Sequence, residues 1–171
     1  GENANYWDEW QQKKLISIGW NDLGDLSKVD TLNEVGKLYK EKYRPENSAK
    51  NNILANFEFA HRLKENDIVF VKNGRTELLG IGRVTSGYKF DKSEVQSHTR
   101  QVEWLSVGEW TLKTDKFAIK TLTDITEYVS FVEYLFKLSG LNDSSAIGGL
   151  VEKTKKPSLS KNTIFWGPPG T

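Results

Sequence analysis

Residues 68–84 read IVFVKNGRTELLGIGRV, and this stretch decides the fold. It opens with the apolar run Ile68–Val71, which is typical of a buried strand, and Asn73-Gly74 is a strong signal for a tight turn between two strands. The returning strand is predicted over Leu78–Val84, where Gly80 and Gly82 indicate a bulge or the close approach of another part of the chain. The stretch therefore predicts a β-hairpin.

Elements on both sides of the hairpin add strands and helices. Apolar residues at helical spacing predict helices over residues 4–14, 31–43, 51–64 and 124–138. Further strands are predicted over Leu15–Trp20 and Arg100–Leu105, with a turn over Asn21–Asp25 and a polar loop over residues 86–99. This order predicts an α+β fold, in which helices flank a small, strongly bent sheet or partly closed barrel.

Composition and charge exclude several classes of protein. The 171 residues include 24 basic and 23 acidic ones, whereas a purely electrostatic nucleic-acid binder has a strong basic excess. The absence of cysteine excludes disulfides, thiolate zinc sites and a cysteine nucleophile. No serine lies in a G-x-S-x-G motif and no acidic pair stands out, so we predict a binding domain without catalytic residues. No apolar run approaches the ~20 residues that span a bilayer, and we expect a cytoplasmic location.

The end of the chain resembles the beginning of a nucleotide-binding motif. Residues 162–166 read as a short apolar strand, and the next five are Gly167, Pro168, Pro169, Gly170 and Thr171. A P-loop has the form G-x-x-x-x-G-K-[ST], of which this turn supplies the first glycine and its spacers. After Gly140 the composition is rich in Ser, Gly, Lys and Pro, which is typical of a linker. We therefore predict a recognition domain over 1–140, a linker over 141–161 and a truncated Walker A segment over 162–171.

Aromatic residues are more numerous than a small core requires, with six Trp, six Tyr and eight Phe. Trp20 closes a predicted strand, and Tyr88 and Phe90 lie in the polar loop. Aromatic rings at strand ends and in loops can form a stacking pocket, which contributes ~1–3 kcal/mol per base and can receive a base flipped out of a duplex. The alternative is that Trp20 belongs to the core and Tyr88 packs locally.

Several segments occur in an order that is typical of one family. Trp7-Asp8-Glu9-Trp10 precedes Leu15–Leu26, and Asn66–Gly74, Leu79–Tyr88 and His98–Trp104 follow. Over residues 4–137 this ordered set resembles the EVE-like domains fused to McrB-type restriction NTPases, which share the PUA-like superfamily with YTH domains. The terminal Gly-Pro-Pro-Gly-Thr is similar to the start of the Walker A loop in McrB-type AAA+ motors. The chain departs from the family at Glu65-Asn66-Asp67, which lacks the usual glycine.

The resemblance implies a PUA-like barrel flanked by helices, with an aromatic-walled pocket that accepts one modified base. By position, Trp20 resembles the residue that forms one wall of this pocket. Tyr88, or alternatively Phe90, would supply another wall, and Asn21 would contact the edge of the base. Phosphate contacts position such a protein on DNA without reading its sequence. The polar residues expected near the rim for this purpose are Lys72, Asn73, Arg75, Arg83 and His98.

These expectations together predict the DNA-recognition module of a modification-dependent, McrBC-type restriction system. It would flip a methylated base of duplex DNA into the pocket, and the fragment itself would need neither cofactor nor metal. The AAA+ motor would self-associate, hydrolyse GTP or ATP with Mg²⁺, and work with a McrC-type nuclease subunit. Three alternatives stay open: an RNA-binding PUA-like module, a domain that docks a partner subunit, and an enzyme acting on a nucleotide.

Overall fold

A computed structural model describes residues 3–141 and 162–166, with side chains described for residues 6–141. The helices are α1 (Asn3–Lys13), α2 (Leu32–Tyr43), α3 (Lys50–Phe57), which continues into a π-helical turn over Glu58–Arg62, and α4 (Val129–Leu138). The strands are β1 (Leu15–Ile18), β2 (Ile68–Asn73), β3 (Glu77–Val84), β4 (Lys89–Phe90), β5 (His98–Thr111), β6 (Leu122–Asp124) and β7 (Asn162–Trp166). The predicted α+β class is confirmed.

The strands form one curled sheet, a half barrel flanked by the helices, in the order β1-β5-β3-β2-β7-β6. Strand β4 lies off this path and pairs with the beginning of β5. All neighbours are antiparallel except β2 and β7, which are parallel. The predicted hairpin is confirmed as β2–β3, and Gly74 in its turn has a φ of 61°, a left-handed conformation that glycine adopts without strain. The bent sheet predicted from the sequence is therefore present.

Two glycines of β3 allow helix α1 to lie close against the sheet. The register between β3 and β5 shifts beside Gly80 and beside Gly82, as the sequence predicted for a bulge. A Cβ atom at Gly80 would overlap the ring of Trp7, and one at Gly82 would lie 3.0 Å from the ring of Trp104. The two tryptophan rings meet edge to face with centroids 4.9 Å apart. A larger residue at Gly80 would push α1 away from the sheet, and one at Gly82 would displace Trp104, on which Trp7 packs.

The apolar run of β2 is continuous because both faces of this strand are covered. Ile68 and Phe70 pack in the cluster that contains the buried residues of α4, whereas Val69 and Val71 pack in the cluster that contains Trp10 of α1. Side chains of a strand alternate between faces, so two buried faces require an unbroken apolar sequence. A third cluster lies between α2 and α3, and Trp20 packs against it.

The helix predictions are confirmed, with one shift at the last helix. Helix α2 begins at a capping box formed by Thr31 and Glu34, a pair that favours helix initiation. The predicted helix over 124–138 begins only at Val129, because Leu122–Asp124 is a strand and the Asp124 carboxylate accepts the Thr126 N–H in the turn that follows. None of the described helices is long and apolar enough to cross a membrane.

The predicted strand over 162–166 is present as β7. The predicted linker, apart from Leu141, and the Walker A residues 167–171 lie outside the described residues.

Candidate nucleic-acid interface

The four residues predicted to bind a base converge on His98, the first residue of β5. In the register of the sheet, His98 lies opposite Ile18 of β1 on one side and opposite Phe90 of β4 on the other. Trp20 and Asn21 follow β1, and Tyr88 immediately precedes β4. Strand pairing therefore brings together segments that are about 70 residues apart in the chain.

His98 is fully buried and connects Tyr88 to Trp20. Its Nδ1 lies 2.7 Å from the Tyr88 hydroxyl, and its Nε2 lies 3.1 Å from the main-chain oxygen of Trp20. A carbonyl oxygen only accepts, so we assign the proton to Nε2, which leaves Nδ1 to accept the hydrogen of the Tyr88 hydroxyl. Burial lowers the pKa of His98, against smaller opposing effects of the Trp20 carbonyl and the Asp25 carboxylate. The group at the centre of the cluster is therefore a neutral imidazole at neutral pH.

Aromatic rings surround this imidazole and fix its orientation. The Tyr88 ring stacks on His98 with centroids 5.9 Å apart, and the Phe90 ring lies 5.2 Å away. Phe59 meets Tyr88 edge to face at 6.5 Å. The Tyr88 hydroxyl also accepts the N–H of Leu26 at 3.1 Å, and burial raises the pKa of Tyr88 to about 12. We call Trp20, Tyr88, Phe90 and His98 the aromatic cluster.

Trp20 is held in an unusual main-chain conformation. Its φ of 62° and ψ of 40° are left-handed, which costs a non-glycine residue on the order of 1 kcal/mol or more. Its carbonyl accepts both the Leu23 N–H at 3.0 Å and Nε2 of His98, and these two bonds hold the conformation. The side chain is partly exposed. The structure thus presents an indole on a rigid support.

Asn21 anchors the loop that precedes β5. Its amide nitrogen donates to the carbonyl of Val95 at 2.8 Å, and its amide oxygen accepts the N–H of Ser97 at 2.9 Å. The residue is exposed, and each amide atom retains capacity for one more hydrogen bond. Asn21 therefore lies beside the cluster, as predicted, and already has a structural role there.

Three of the residues predicted to contact DNA phosphates, Lys72, Asn73 and Arg75, lie away from the aromatic cluster, and their predicted placement at its rim was wrong. Lys72, Asn73 and Arg75 belong to the end of the β2–β3 hairpin, where Glu77 pairs with Thr111 at the far end of β5 from His98. The sequence prediction failed because the length and direction of β5 were not visible in its local pattern.

Two of these predicted phosphate-binding residues are also buried. Lys72 is 1 % exposed, and its ammonium donates to the carbonyl of Ala118 at 2.6 Å and to that of Gly74 at 3.3 Å. Burial, with a smaller contribution from the charge of nearby Arg75, lowers the pKa of Lys72 to about 8. His98 is inside the aromatic cluster. Arg83 is half-buried on β3, where its guanidinium lies 3.7 Å from the Glu103 carboxylate.

Arg100 is a structural residue of this region that the sequence analysis missed. Its guanidinium donates to the carbonyls of Phe59 at 2.8 Å and Ala60 at 3.0 Å, in the π-helical turn, and to that of Ser86 at 3.3 Å. Burial lowers the pKa of Arg100 to about 10, which leaves it cationic at neutral pH. It ties the loop carrying Tyr88 to the end of α3. The sequence contained one signal for this role. Arg100 lies two residues after His98 on the same strand, so both side chains face the same side of the sheet.

A polar cleft of about 590 Å³ lies near the cluster. Leu15, Lys89, Thr99 and Gln101 line it, and along their strands they alternate with Ile16, Phe90 and His98, so their side chains face away from the aromatic rings. Arg100 also lines the cleft, and its guanidinium donates there to the carbonyl of Ser86 at 3.3 Å. Ion pairs border it, with Lys13 lying 2.6 Å from Glu94 and Lys89 lying 2.7 Å from Asp91.

Comparison with known families places the chain in a group without an assigned activity. Residues 1–128 match the family described as domain of unknown function (DUF8426), and the chain belongs to this family. No curated protein and no solved structure matches the chain. Within the part of the chain that the structure describes, no group of three or more His, Cys, Asp or Glu side chains is arranged to hold a metal ion.

Proposed function

We propose that this DUF8426 domain is the DNA-recognition module of a modification-dependent restriction system and that it recognises a flipped, modified base at the aromatic cluster. The finer description of its fold as PUA-like, with an EVE-like arrangement, is part of this proposal. In the full-length protein the domain would precede an AAA+ motor that uses GTP or ATP with Mg²⁺ and acts with a McrC-type nuclease subunit.

The observation that carries the proposal is the presentation of Trp20. A partly exposed indole follows a strand in a left-handed main-chain conformation, and a buried histidine bonded to a neighbouring tyrosine holds it there. Strained positions persist where the surrounding structure fixes them, and they are concentrated at binding sites. A main chain fixed before binding loses little entropy when a ligand stacks on the side chain that it carries. These features support a stacking platform for a single base.

Each residue of the platform has a distinct role in this proposal. Trp20 stacks on the extruded base, and the partly exposed rings of Tyr88 and Phe90 contact it from the side of β4. Asn21 uses its remaining hydrogen-bonding capacity on the edge of the base. An apolar contact with one methyl group distinguishes modified from unmodified bases by ~1–3 kcal/mol, or roughly 10- to 200-fold in affinity. Stacking adds ~1–3 kcal/mol, which offsets the cost of unpairing the base.

The test is a titration of the chain against matched duplexes that contain methylcytosine, hydroxymethylcytosine, methyladenine or no modification. We expect one modified duplex to bind at least about tenfold more tightly than the unmodified one, which corresponds to a single methyl contact. Equal affinity for all four duplexes would reject the proposal.

Trp20→Ala should remove the preference for the modified duplex, and a second aromatic residue provides the control. Tyr128 is 64 % exposed and lies just before α4, outside the cluster, so Tyr128→Ala should leave the preference intact. Urea unfolding of both variants separates a loss of binding from a loss of fold.

The same titration, extended to a single-stranded RNA, distinguishes the alternatives. Tighter binding of single-stranded RNA than of any duplex would assign the domain to RNA recognition, which favours single strands and the 2′-hydroxyl. No binding to any nucleic acid would favour a domain that docks a partner subunit.

A further inference from the structure

A row of aromatic rings extends from Trp20 onto helix α2. The Trp20 and Tyr39 rings lie with centroids 6.5 Å apart, and the Tyr39 and Tyr43 rings lie 5.0 Å apart. Tyr39 is buried, whereas Trp20 and Tyr43 are partly exposed. Burial raises the pKa of Tyr43 against the opposing effect of a hydrogen bond to the main chain of Asp22, and this bond places Tyr43 beside the segment that follows Trp20. The C-terminal half of α2 therefore borders the proposed base-binding site.

Three exposed cations form a stripe along this part of α2. Lys37, Lys40 and Arg44 are spaced by three and four residues, and all three are exposed. At 100° per residue Lys37 and Lys40 lie about 60° apart on the helix circumference, and the three positions span about 10 Å along its axis. Arg44 follows the last residue of the helix, and its N–H donates to the carbonyl of Lys40 at 3.0 Å, which holds its main chain next to the stripe in a left-handed conformation with a φ of 43°. We call these three residues the basic stripe.

The acidic residues of α2 border the basic stripe on one side, where hydrogen bonds from Thr31 and Asp30 lower the pKa of Glu34 and the charge of Lys37 adds a smaller contribution. Glu34 belongs to the capping box, and Glu41 lies 3.6 Å from Lys42. Among the described residues, no salt bridge joins a carboxylate to any member of the stripe. Residues 32–50 contain five basic and three acidic residues, although the whole chain is nearly balanced. The stripe therefore presents positive charge to solvent beside the aromatic row.

We propose that the basic stripe binds the phosphodiester backbone of duplex DNA next to the base held at Trp20. This inference rests on the proposed function and replaces the hairpin residues Lys72, Asn73 and Arg75 as the phosphate contacts. The span of about 10 Å corresponds to the rise of about three nucleotides along one strand, at 3.4 Å each. Long side chains with charged ends suit this role because phosphate contacts position a protein on DNA without reading its sequence.

The experiment measures affinity as a function of salt concentration for the double variant Lys40→Gln, Arg44→Gln. Each phosphate neutralised contributes about −0.9 to the slope of log K against log salt, so the loss of two contacts should reduce the slope by about 1.8. At about 0.1 M salt this corresponds to a loss of affinity on the order of 60-fold. The loss should be the same for modified and unmodified duplexes, which keeps their affinity ratio unchanged.

The matched control removes the same charge from a remote surface. Lys116 and Lys120 are exposed and flank Phe117, whose N–H donates to the carbonyl of Arg75 at the hairpin end. Lys116→Gln, Lys120→Gln should leave the slope and the affinity within about twofold of the wild type. An equal loss in both double variants would indicate a general effect of net charge and would overturn the inference.

Other outcomes separate this inference from the proposed function. Cations near the C-terminus of a helix also stabilise the helix, so urea unfolding of the variant checks that the fold is retained. If the folded variant has an unchanged salt slope but still prefers a modified duplex, phosphate binding by the basic stripe is rejected and base recognition is retained. In a third outcome, the wild type binds all duplexes equally but the salt slope is still smaller in the variant. This result would reject the proposal of base recognition and support phosphate binding by the basic stripe. A loss confined to the modified duplex would place these residues at the base and overturn their assignment to the backbone.

Discussion

At the scale of single residues, His98 determines the geometry of the candidate site. A buried imidazole with two hydrogen-bond partners has a defined tautomer and orientation, and here those partners are the Tyr88 hydroxyl and the Trp20 carbonyl. The hydroxyl of Tyr88 in turn accepts the N–H of Leu26. The site therefore depends on a histidine that is itself inaccessible, and its protonation should affect the whole cluster.

We expect the folded state to lose stability at acidic pH through His98. Burial lowers the pKa of His98 below 6.5, so the unfolded chain takes up the proton at a higher pH than the folded one. The stabilising contribution is fully present above about pH 6.5 and is lost as the pH falls through the folded-state pKa. The free energy of unfolding should fall by up to ~1.4 kcal/mol per pH unit in this window, as measured by urea unfolding.

The control for this prediction is His98→Gln, which retains a donor and an acceptor but does not titrate. Its overall stability will be lower than that of the wild type, so the comparison concerns the slope with pH. A smaller slope in the variant supports the role of His98. Equal slopes in the two proteins would assign the pH dependence to carboxylates elsewhere.

At the scale of secondary-structure elements, the close contact between α1 and the sheet depends on the absence of a side chain at Gly80. Gly80→Ala places a Cβ atom in steric overlap with the edge of the Trp7 ring, which must move together with α1. Overpacking of this kind costs ~1–3 kcal/mol, and we expect a corresponding decrease in the free energy of unfolding measured with urea.

Gly87→Ala is the matched control, because no atom lies within 4 Å of the added Cβ atom there. Substitutions at such open positions change stability by less than about 0.5 kcal/mol. If the two alanine variants were equally stable, Trp7 would have to have another position available on the sheet.

At the scale of the whole molecule, strand β7 joins two parts of the sheet. It pairs in parallel with five residues of β2, from Ile68 to Lys72, and in antiparallel fashion with β6. A chain that ends at Lys161 loses these pairs and leaves one edge of β2 open. With a net ~0.5–1.5 kcal/mol per backbone hydrogen bond, we expect the free energy of unfolding to fall by roughly 3 kcal/mol or more.

A chain that ends at Trp166 keeps β7 and serves as the control, with urea unfolding as the measurement for both. If truncation at Lys161 left the free energy of unfolding unchanged, β7 would not be needed for the fold of the sheet. It would then be assigned to the Walker A segment over 162–171, as the sequence predicted. A loss of stability limited to the shorter chain would make β7 part of the sheet's own fold.

The sequence by itself determined most elements of the fold. The apolar run of β2, the Asn73-Gly74 turn and the helical spacing in α2 and α3 are local signals, and each gave the right element. The aromatic residues Trp20, Tyr88 and Phe90 were also singled out by their positions at a strand end and in a polar loop. Local backbone preference and the period of apolar residues are sufficient for such predictions, since both are properties of neighbours in the chain.

Only the tertiary structure decided which of these residues are in contact and which charged side chains are exposed to solvent. Pairing of β1 and β4 with the beginning of β5 places His98 between Trp20 and Tyr88, and the length of β5 places Lys72 and Arg75 at the opposite end of the sheet. Lys72 and Arg100 are buried, and they donate to the carbonyls of distant residues, Ala118 and Phe59 respectively. Burial and register arise from contacts between distant segments, so a charged residue in a strand has the same local pattern whether it faces solvent or the interior.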